Sequence, residues 1–127
     1  MNAIAHSPRV LVIDADLSVC LGVRTLLEPY GYDCQSAVDS RSGLARVEEG
    51  GWDLVLAALS MPELGDWEIV EAIHRWAPTM PVILMAGRND PVVAAGDRAR
   101  RIRVIRKPFP LVTLTGAVVE ALYANPA

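Results

Sequence analysis

Two carboxylates and one amino group stand at positions where they could act together chemically. Asp14 and Asp16 flank Ala15 directly after the apolar run Val10–Ile13, and Lys107 follows another apolar stretch far along the chain. Carboxylate oxygens are preferred ligands of Mg²⁺, and an ammonium group binds anions. Helix capping and a salt bridge between Asp14 and Lys107 are simpler roles for these side chains. Asp14 is therefore only a weak candidate metal ligand, and no metal site is predicted.

Composition limits the classes of protein to which the chain can belong. Its 127 residues suit a single domain, and the 52% of hydrophobic residues exclude a largely disordered chain. A net charge of −3 does not favour nucleic-acid binding. The sequence has no run of 18 apolar residues, so no membrane span is predicted. Cys20 and Cys34 are too few for a disulfide scaffold and form no CxxC motif, which predicts a reduced, cytoplasmic domain.

Short apolar runs alternate with segments of helical periodicity. Strands are predicted at Val10–Ile13, Tyr32–Ala37, Asp53–Ala58, Pro81–Met85 and Ile102–Arg106. Helices are predicted from Asp16 or Ser18 to Pro29, and at Ser40–Glu49, Trp67–Ala77, Val92–Arg100 and Leu111–Tyr123. This alternation predicts an α/β domain with a parallel sheet covered by helices on both faces. We expect a disordered start over residues 1–8, one domain over 9–123 and a tail over 124–127.

Ligands of open parallel sheets bind beyond the carboxyl ends of the strands. The residues predicted at that edge are Asp14, Ala15, Asp16, Ala58, Ser60, Ala86 and Lys107. A doubly wound domain that binds a flavin or a nucleotide is one alternative for such a chain. It needs a loop rich in Gly, Ser or Thr that cradles phosphate, and no predicted strand is followed by one. The acidic Asp14-Ala15-Asp16 segment would repel phosphate.

Four stretches carry a resemblance to a known family. They are Val-Leu-Val-Ile-Asp-Ala-Asp (10–16), Asp-Leu-Val-Leu-Ala-Ala-Leu-Ser-Met-Pro (53–62), Pro-Val-Ile-Leu-Met-Ala-Gly (81–87) and Arg-Lys-Pro-Phe (106–109). From about Pro8 to Tyr123 the chain resembles the receiver domain of two-component response regulators. The resemblance implies a doubly wound (βα)5 three-layer sandwich of the flavodoxin-like type, with a five-stranded parallel sheet in the order 2-1-3-4-5. It implies a signalling module rather than an enzyme, with a kinase, an output domain or a second copy as partner.

In that family an aspartate ending the third strand accepts a phosphoryl group from a histidine kinase. Two acidic residues after the first strand help to hold Mg²⁺, and a Thr or Ser after the fourth strand and a Lys after the fifth contact the phosphoryl oxygens. By this resemblance Asp14 matches the first acidic residue and Lys107 matches the lysine. Ala58 falls at the phosphoacceptor position, Ala15 at the second acidic position and Ala86 at the hydroxyl position.

Val104 replaces the aromatic switch residue of the family, three residues before the lysine. Because the methyl group of Ala58 cannot attack phosphorus, the resemblance implies a degenerate receiver, a pseudo-receiver that acts through protein–protein interaction or dimerisation. Mg²⁺ binding is expected to be weak or absent, and no cofactor is predicted. The alternative within the same fold is modification at a non-standard residue, such as Ser60 or Asp66.

A run of basic side chains precedes and includes the last predicted strand. Its members are Arg98, Arg100, Arg101, Arg103 and Arg106. One interpretation is a solvated helix end beside a charged edge strand. The other is a docking face, because the resemblance assigns this run to the surface that receivers use for dimers and partners. Nucleic-acid binding is a third and weaker interpretation, because no aromatic residues lie among the arginines.

Overall fold

The computed structural model describes residues 7–65, 67–88, 90, 96–97 and 101–123, and only the backbone of residues 96–97. Strands and helices alternate along the described chain. The strands are β1 Arg9–Ile13, β2 Asp33–Ala37, β3 Leu54–Ala58, β4 Val82–Ala86, β5 Gly96–Asp97 and β6 Ile102–Arg106. The helices are α1 Leu17–Leu27, α2 Ser40–Glu49, α3 Glu68–Trp76 and α4 Leu111–Tyr123, and one 3₁₀ turn, Glu28–Tyr30, follows α1.

The described strands form one sheet in the order β2-β1-β3-β4-β6-β5. Its five long strands, β1 to β4 and β6, are parallel to one another. Counted alone, these five strands have the order 2-1-3-4-5. The predicted fold class, a flavodoxin-like doubly wound sheet, is confirmed.

The central strands β3 and β4 are apolar at every position, and β1 is apolar after Arg9, because both faces of these strands are covered by helices. In β1, Val10 and Val12 pack in the layer beneath α1 and α4, whereas Leu11 and Ile13 pack in the layer beneath α2 and α3. All five side chains of β3 and all five of β4 are buried. Because both faces of these strands are buried, the positions of the strand ends are fixed. The residues that directly follow the strands are therefore fixed in position as well.

Local signals in the sequence set the helix boundaries. The side chain of Asp16 accepts a hydrogen bond from the backbone nitrogen of Ser18 and caps α1, so Asp16 rather than Ser18 is the cap. Asp39 caps α2 in the same way through Ser42, at 2.7 Å. Beyond α1, Gly31 has a φ of 91°, in the left-handed region that glycine enters without a steric penalty.

Two predictions about the last third of the chain need correction. The predicted helix Val92–Arg100 lies mostly outside the described residues, but Gly96–Asp97 form a strand antiparallel to β6 instead of a helical turn. Ile102–Arg106 is also predicted to be an edge strand. Ile102 and Arg103 do not lie at the sheet edge, because β5 pairs with them. The physical reason is that an edge strand offers unpaired backbone groups, and a nearby extended segment can satisfy them.

At the ends of the chain, residues 1–6 and 124–127 lie outside the described residues. Pro8 belongs to the ordered fold. It is buried, and its carbonyl oxygen accepts a hydrogen bond of 2.9 Å from the backbone nitrogen of Asp33. Order therefore begins before Arg9, within the stretch that the sequence analysis expects to be disordered.

Candidate functional site

The carboxyl ends of four adjacent strands bring the predicted site residues to one edge of the sheet. Asp14 directly follows β1, Ala58 ends β3, Ala86 ends β4, and Lys107 directly follows β6. The strand register aligns these ends, because Ala58 lies opposite Met85 and Ala86 opposite Arg106. Residues spread over more than 90 positions therefore meet at a single edge.

Asp14 is the buried acidic group of this edge, with a relative exposure of 3%. Its Oδ2 accepts a hydrogen bond from Nζ of Lys107 at 2.7 Å. Its Oδ1 accepts another from the backbone nitrogen of Asp16 at 2.9 Å. Both carboxylate oxygens are thus engaged by protein donors. The ion pair between Asp14 and Lys107 is the one that the sequence analysis proposes as the simpler role of these side chains.

Asp16 serves the start of α1 rather than the edge. Its Oδ1 accepts hydrogen bonds from both the hydroxyl and the backbone nitrogen of Ser18, at 2.6 and 2.9 Å. These hydrogen bonds hold the pKa of the Asp16 carboxyl below its usual value. Ala15, between the two aspartates, is exposed and contributes only a methyl group.

The side chains of Ala58 and Ala86 end the two strands that lie between β1 and β6. Ala58 is 3% exposed and Ala86 is fully buried. Neither side chain carries an oxygen or nitrogen atom, so neither offers a nucleophile or a ligand. Val104 of β6 is half-buried and packs against the layer beneath α2 and α3. Among the described residues, no group of three or more His, Cys, Asp or Glu side chains is arranged to hold a metal ion.

A second polar cluster, next to this edge, joins three segments through Asp90. The Ser60 hydroxyl, in the loop after β3, donates to Oδ1 of Asp90 at 3.0 Å. The backbone nitrogen of Gly87, directly after β4, donates to Oδ2 of Asp90 at 2.5 Å. Arg106, the last residue of β6, donates from Nη1 to the carbonyl oxygens of Gly87 and Asp90, at 2.9 and 3.5 Å. Sequence reasoning missed the role of Asp90, because no local pattern links it to a serine 30 residues away.

Each described arginine of this run forms a hydrogen bond or an ion pair with another residue of the chain. Arg103 forms an ion pair of 2.6 Å with Glu120 of α4. Arg101 donates to the carbonyl oxygens of Thr79 and Ala121, both at 3.4 Å. Arg103 and Arg106 are exposed. Arg98 and Arg100 lie outside the described residues, so the predicted docking face is described only in part.

Both cysteines are buried in the layer beneath α1 and α4. Burial raises the pKa of the Cys34 thiol to about 11 and also raises that of Cys20. A raised pKa keeps a thiol protonated and unreactive at neutral pH. Cys20 and Cys34 therefore act as small packing groups of the core.

Comparisons with known proteins identify the family to which this fold belongs. The family model of the response regulator receiver domain matches residues 10–119. The chain belongs to the receiver domains of two-component response regulators. In the described residues, no helix has both the length and the apolar character that a membrane crossing requires.

Curated relatives and solved structures give the same family. The chain is 34% identical over 114 residues to the transcriptional regulatory protein ZraR of Escherichia coli K12, covering 89% of the chain and 26% of the relative. It is 32% identical over 124 residues to PrrA of Mycobacterium tuberculosis, covering 96% of the chain and 53% of that relative. A receiver domain protein from Clostridium thermocellum superposes with a TM-score of 0.76 at 27% identity, covering 91% of this chain and 94% of that one. The chain thus spans about a quarter to a half of the length of these curated relatives.

Proposed function

We propose that this receiver domain signals without phosphorylation at the position where its family is phosphorylated. The observation that supports the proposal most directly is the methyl group of Ala58 at the end of β3, beside an ion pair that already joins Lys107 to Asp14. A methyl group has no lone pair with which to attack phosphorus. The domain then acts as a non-enzymatic interaction module whose state depends on what it binds.

The donors at this edge do not fit a magnesium ion. Mg²⁺ demands near-octahedral oxygen ligands and is usually held by one or two carboxylates together with substrate phosphate. The two oxygens of Asp14 are engaged by Lys107 and by the backbone of Asp16, and the side chain of Asp16 caps α1. We therefore expect no saturable change in tryptophan fluorescence when MgCl₂ is added up to the low millimolar range. A saturable response at submillimolar metal would contradict this expectation.

The residues that would transmit a phosphorylation signal are also changed. Family resemblance assigns a hydroxyl to the position of Ala86 and an aromatic ring to that of Val104. A buried methyl group at Ala86 cannot donate to a phosphoryl oxygen, and Val104 has no ring that could change its position. By family resemblance, four functional positions are thus replaced: the nucleophile, the second metal ligand and the two residues that transmit the signal. Four replacements favour a pseudo-receiver over a receiver with one conservative change.

The test is treatment of the whole protein with a small-molecule phosphodonor and MgCl₂, followed by intact mass and peptide mapping. We expect no mass increase of one phosphoryl group. Labelling at Ser60 or Asp66 would support the alternative of modification at a non-standard residue. Strong labelling at any other residue would show that phosphorylation still reaches the domain and would overturn the claim that its state depends on binding alone. An ordinary receiver domain treated in parallel shows that the donor is active.

We further propose that the partner is a protein of a signalling pathway: a kinase, an output domain or a second copy of this chain. The curated relatives are transcriptional regulatory proteins of which this chain spans only a part. In a longer protein of this kind we expect nucleic-acid contacts to come from another domain. We expect the domain to work in the cytoplasm, where two-component response regulators receive their signals.

The proposed docking face is tested by charge reversal at Arg103. Its salt bridge to Glu120 is exposed on both sides, so Arg103→Glu should cost little stability. If the face is used, sedimentation velocity should show weaker self-association or weaker binding of an added partner. Arg75→Glu, on the exposed side of α3, is the matched control and should leave association unchanged. Equal association of wild type and Arg103→Glu would show that the face is elsewhere.

A further inference from the structure

We propose that Asp90 is a latch that holds Gly87 and the loop after β3 in one arrangement, and that opening of this latch is a conformational change available to the domain. The latch consists of Ser60, Gly87, Asp90 and Arg106. The claim that it takes the place of a phosphorylation-dependent link rests on the function proposed above. The hydrogen bonds themselves do not depend on that function.

The carboxylate of Asp90 connects two loops that no strand pairing joins beyond the sheet edge. One oxygen accepts a hydrogen bond from the Ser60 hydroxyl in the loop between β3 and α3. The other accepts a hydrogen bond from the backbone nitrogen of Gly87. Hydrogen bonds to a charged acceptor are about twice as strong as those between neutral groups. Asp90 is half-buried, whereas Ser60 and its hydrogen bond to Asp90 are exposed to water. Its carboxylate therefore fixes the spacing between the loops that follow β3 and β4.

Arg106 also donates hydrogen bonds to this turn. Its Nη1 lies 2.9 Å from the carbonyl oxygen of Gly87 and 3.5 Å from that of Asp90. The backbone nitrogen of Asp90 donates to the carbonyl oxygen of Gly87 at 3.2 Å, which closes the turn. The turn is thus held by β6, by the loop after β3 and by its own backbone.

Glycine at position 87 permits this close approach. A Cβ atom at that position would lie 3.3 Å from Oδ2 of Asp90, tighter than an ordinary van der Waals contact. The latch also reaches the candidate site, because Gly87 directly follows Ala86 and the backbone nitrogen of Lys107 donates to the carbonyl oxygen of Ala86 at 2.7 Å. Opening the turn would therefore loosen the end of β4 beside the Asp14–Lys107 pair.

A phosphorylation-dependent link between these two loops would require an acceptor at Ala58 and a hydroxyl at Ala86. The side chains of Ser60 and Asp90 supply a link two residues after Ala58 and four residues after Ala86, and that link is present in the unmodified chain. The proposal gives the domain two states, one with the latch closed, as in this structure, and one with the latch open. A partner that competes for the Asp90 carboxylate or for the Arg106 guanidinium would shift the population toward the open state.

The latch is tested by amide hydrogen exchange of Gly87, followed by NMR on the unmodified protein. Because Asp90→Ala removes the acceptor of the Gly87 amide, we expect exchange about tenfold faster or more. Ser60→Ala should accelerate the same amide several-fold, and Ser60→Thr, which keeps the hydroxyl, should restore slow exchange. In the Asp90→Ala background, Ser60→Ala should have little further effect on the Gly87 amide, because the Ser60 hydroxyl is linked to that amide through the Asp90 carboxylate.

Ser42→Ala is the matched control, since it removes a hydroxyl that donates to the exposed Asp39 at another place on the surface. It should leave Gly87 unchanged, and the amide of Val12 in the buried β1 reports that each variant is folded. An effect of Asp90→Ala without an effect of Ser60→Ala would reduce the cluster to a local turn and refute the link between the loops. Unchanged exchange in both variants would refute the latch. Phosphodonor labelling is a separate measurement, so its outcome decides the proposed function without deciding the latch.

Discussion

Nζ of Lys107 lies 2.7 Å from Oδ2 of Asp14, although 93 positions separate the two residues in the sequence. Their strands, β6 and β1, are not neighbours, because β3 and β4 lie between them in the sheet. The lysine side chain reaches across the ends of those two strands, where Ala58 and Ala86 present only methyl groups. The pair therefore spans the carboxyl edge and neutralises the buried carboxylate of the candidate site.

Removal of the lysine should cost more stability than removal of the aspartate. Lys107→Met leaves the Asp14 carboxylate buried without its counter-ion, and we expect a loss of about 2–3 kcal/mol in the free energy of unfolding. Asp14→Asn should cost less, because the side chain of Lys107 is 25% exposed and water can solvate its ammonium group. Urea denaturation of the two variants measures both losses. A larger loss for Asp14→Asn would show that the buried carboxylate is not the group that the pair stabilises.

Restoration of phosphorylation should require two substitutions. Ala58→Asp alone places a second carboxylate near Asp14 with only Lys107 to balance the two charges, so we expect little or no labelling by a phosphodonor. Ala15→Asp added to Ala58→Asp supplies a further metal ligand and should allow slow labelling in the presence of MgCl₂. Intact mass of the wild type, the single variant and the double variant decides between these outcomes.

The labelled double variant should not show the conformational response of an ordinary receiver. Ala86 offers no hydroxyl to the phosphoryl group, and Val104 offers no aromatic ring. We therefore expect NMR shifts near residue 58 and none along β6. Shifts that extend through β6 after labelling would contradict the proposed roles of Ala86 and Val104.

Gly43 of α2 should resist substitution although it lies within a helix. A Cβ atom there would approach three side-chain atoms of Ile13 to 2.7–2.9 Å, and Ile13 is fully buried in β1. Gly43→Ala should therefore lower stability by about 1–3 kcal/mol, the usual cost of overpacking a core. Gly22→Ala in α1 is the matched control. Nothing lies within 4 Å of its Cβ position, so it should raise stability by about 0.5–1 kcal/mol through helix propensity. Chemical denaturation that gives both variants the same sign would contradict the close contact between α2 and β1.

The helix caps should make part of the stability dependent on pH. Hydrogen bonds from Ser42 lower the pKa of Asp39 in the folded protein below 3.8, the ordinary value of an aspartate side chain. The corresponding stabilisation is present above the unfolded pKa and is lost as the pH falls through the folded pKa, that is, below about pH 4. Asp39→Asn retains a capping side chain that does not titrate. We therefore expect its urea midpoint to change less between pH 5 and pH 3 than that of the wild type.

Glu63→Gln, at an exposed residue of the loop after β3 that caps no helix, is the control for this measurement. It should keep the pH dependence of the wild type. An Asp39→Asn variant as sensitive to acid as the wild type would show that the cap does not contribute to acid unfolding.

Much of the fold and the membership of the candidate site follow from local sequence. Apolar runs such as Val10–Ile13 predict buried strands because both faces of a parallel sheet are covered, and Ser40–Glu49 is bounded by Asp39 and Gly50, residues that favour helix ends. Once the strands are known, Asp14, Ala58 and Lys107 must lie at one edge, because parallel strands end on the same side. The ion pair could be proposed from that edge and from opposite charge.

The tertiary structure alone decided the contacts between segments with no shared pattern. Three such contacts depend on where loops lie relative to one another. They are the Ser60–Asp90 hydrogen bond, the hydrogen bonds from Arg106 to the turn after β4, and the pairing of the antiparallel strand β5. Periodicity and capping signals act within a few residues, whereas these contacts join positions up to 30 residues apart through short-range hydrogen bonds. Such bonds require placement within a few tenths of an ångström, and only the packed sheet and helices provide that precision.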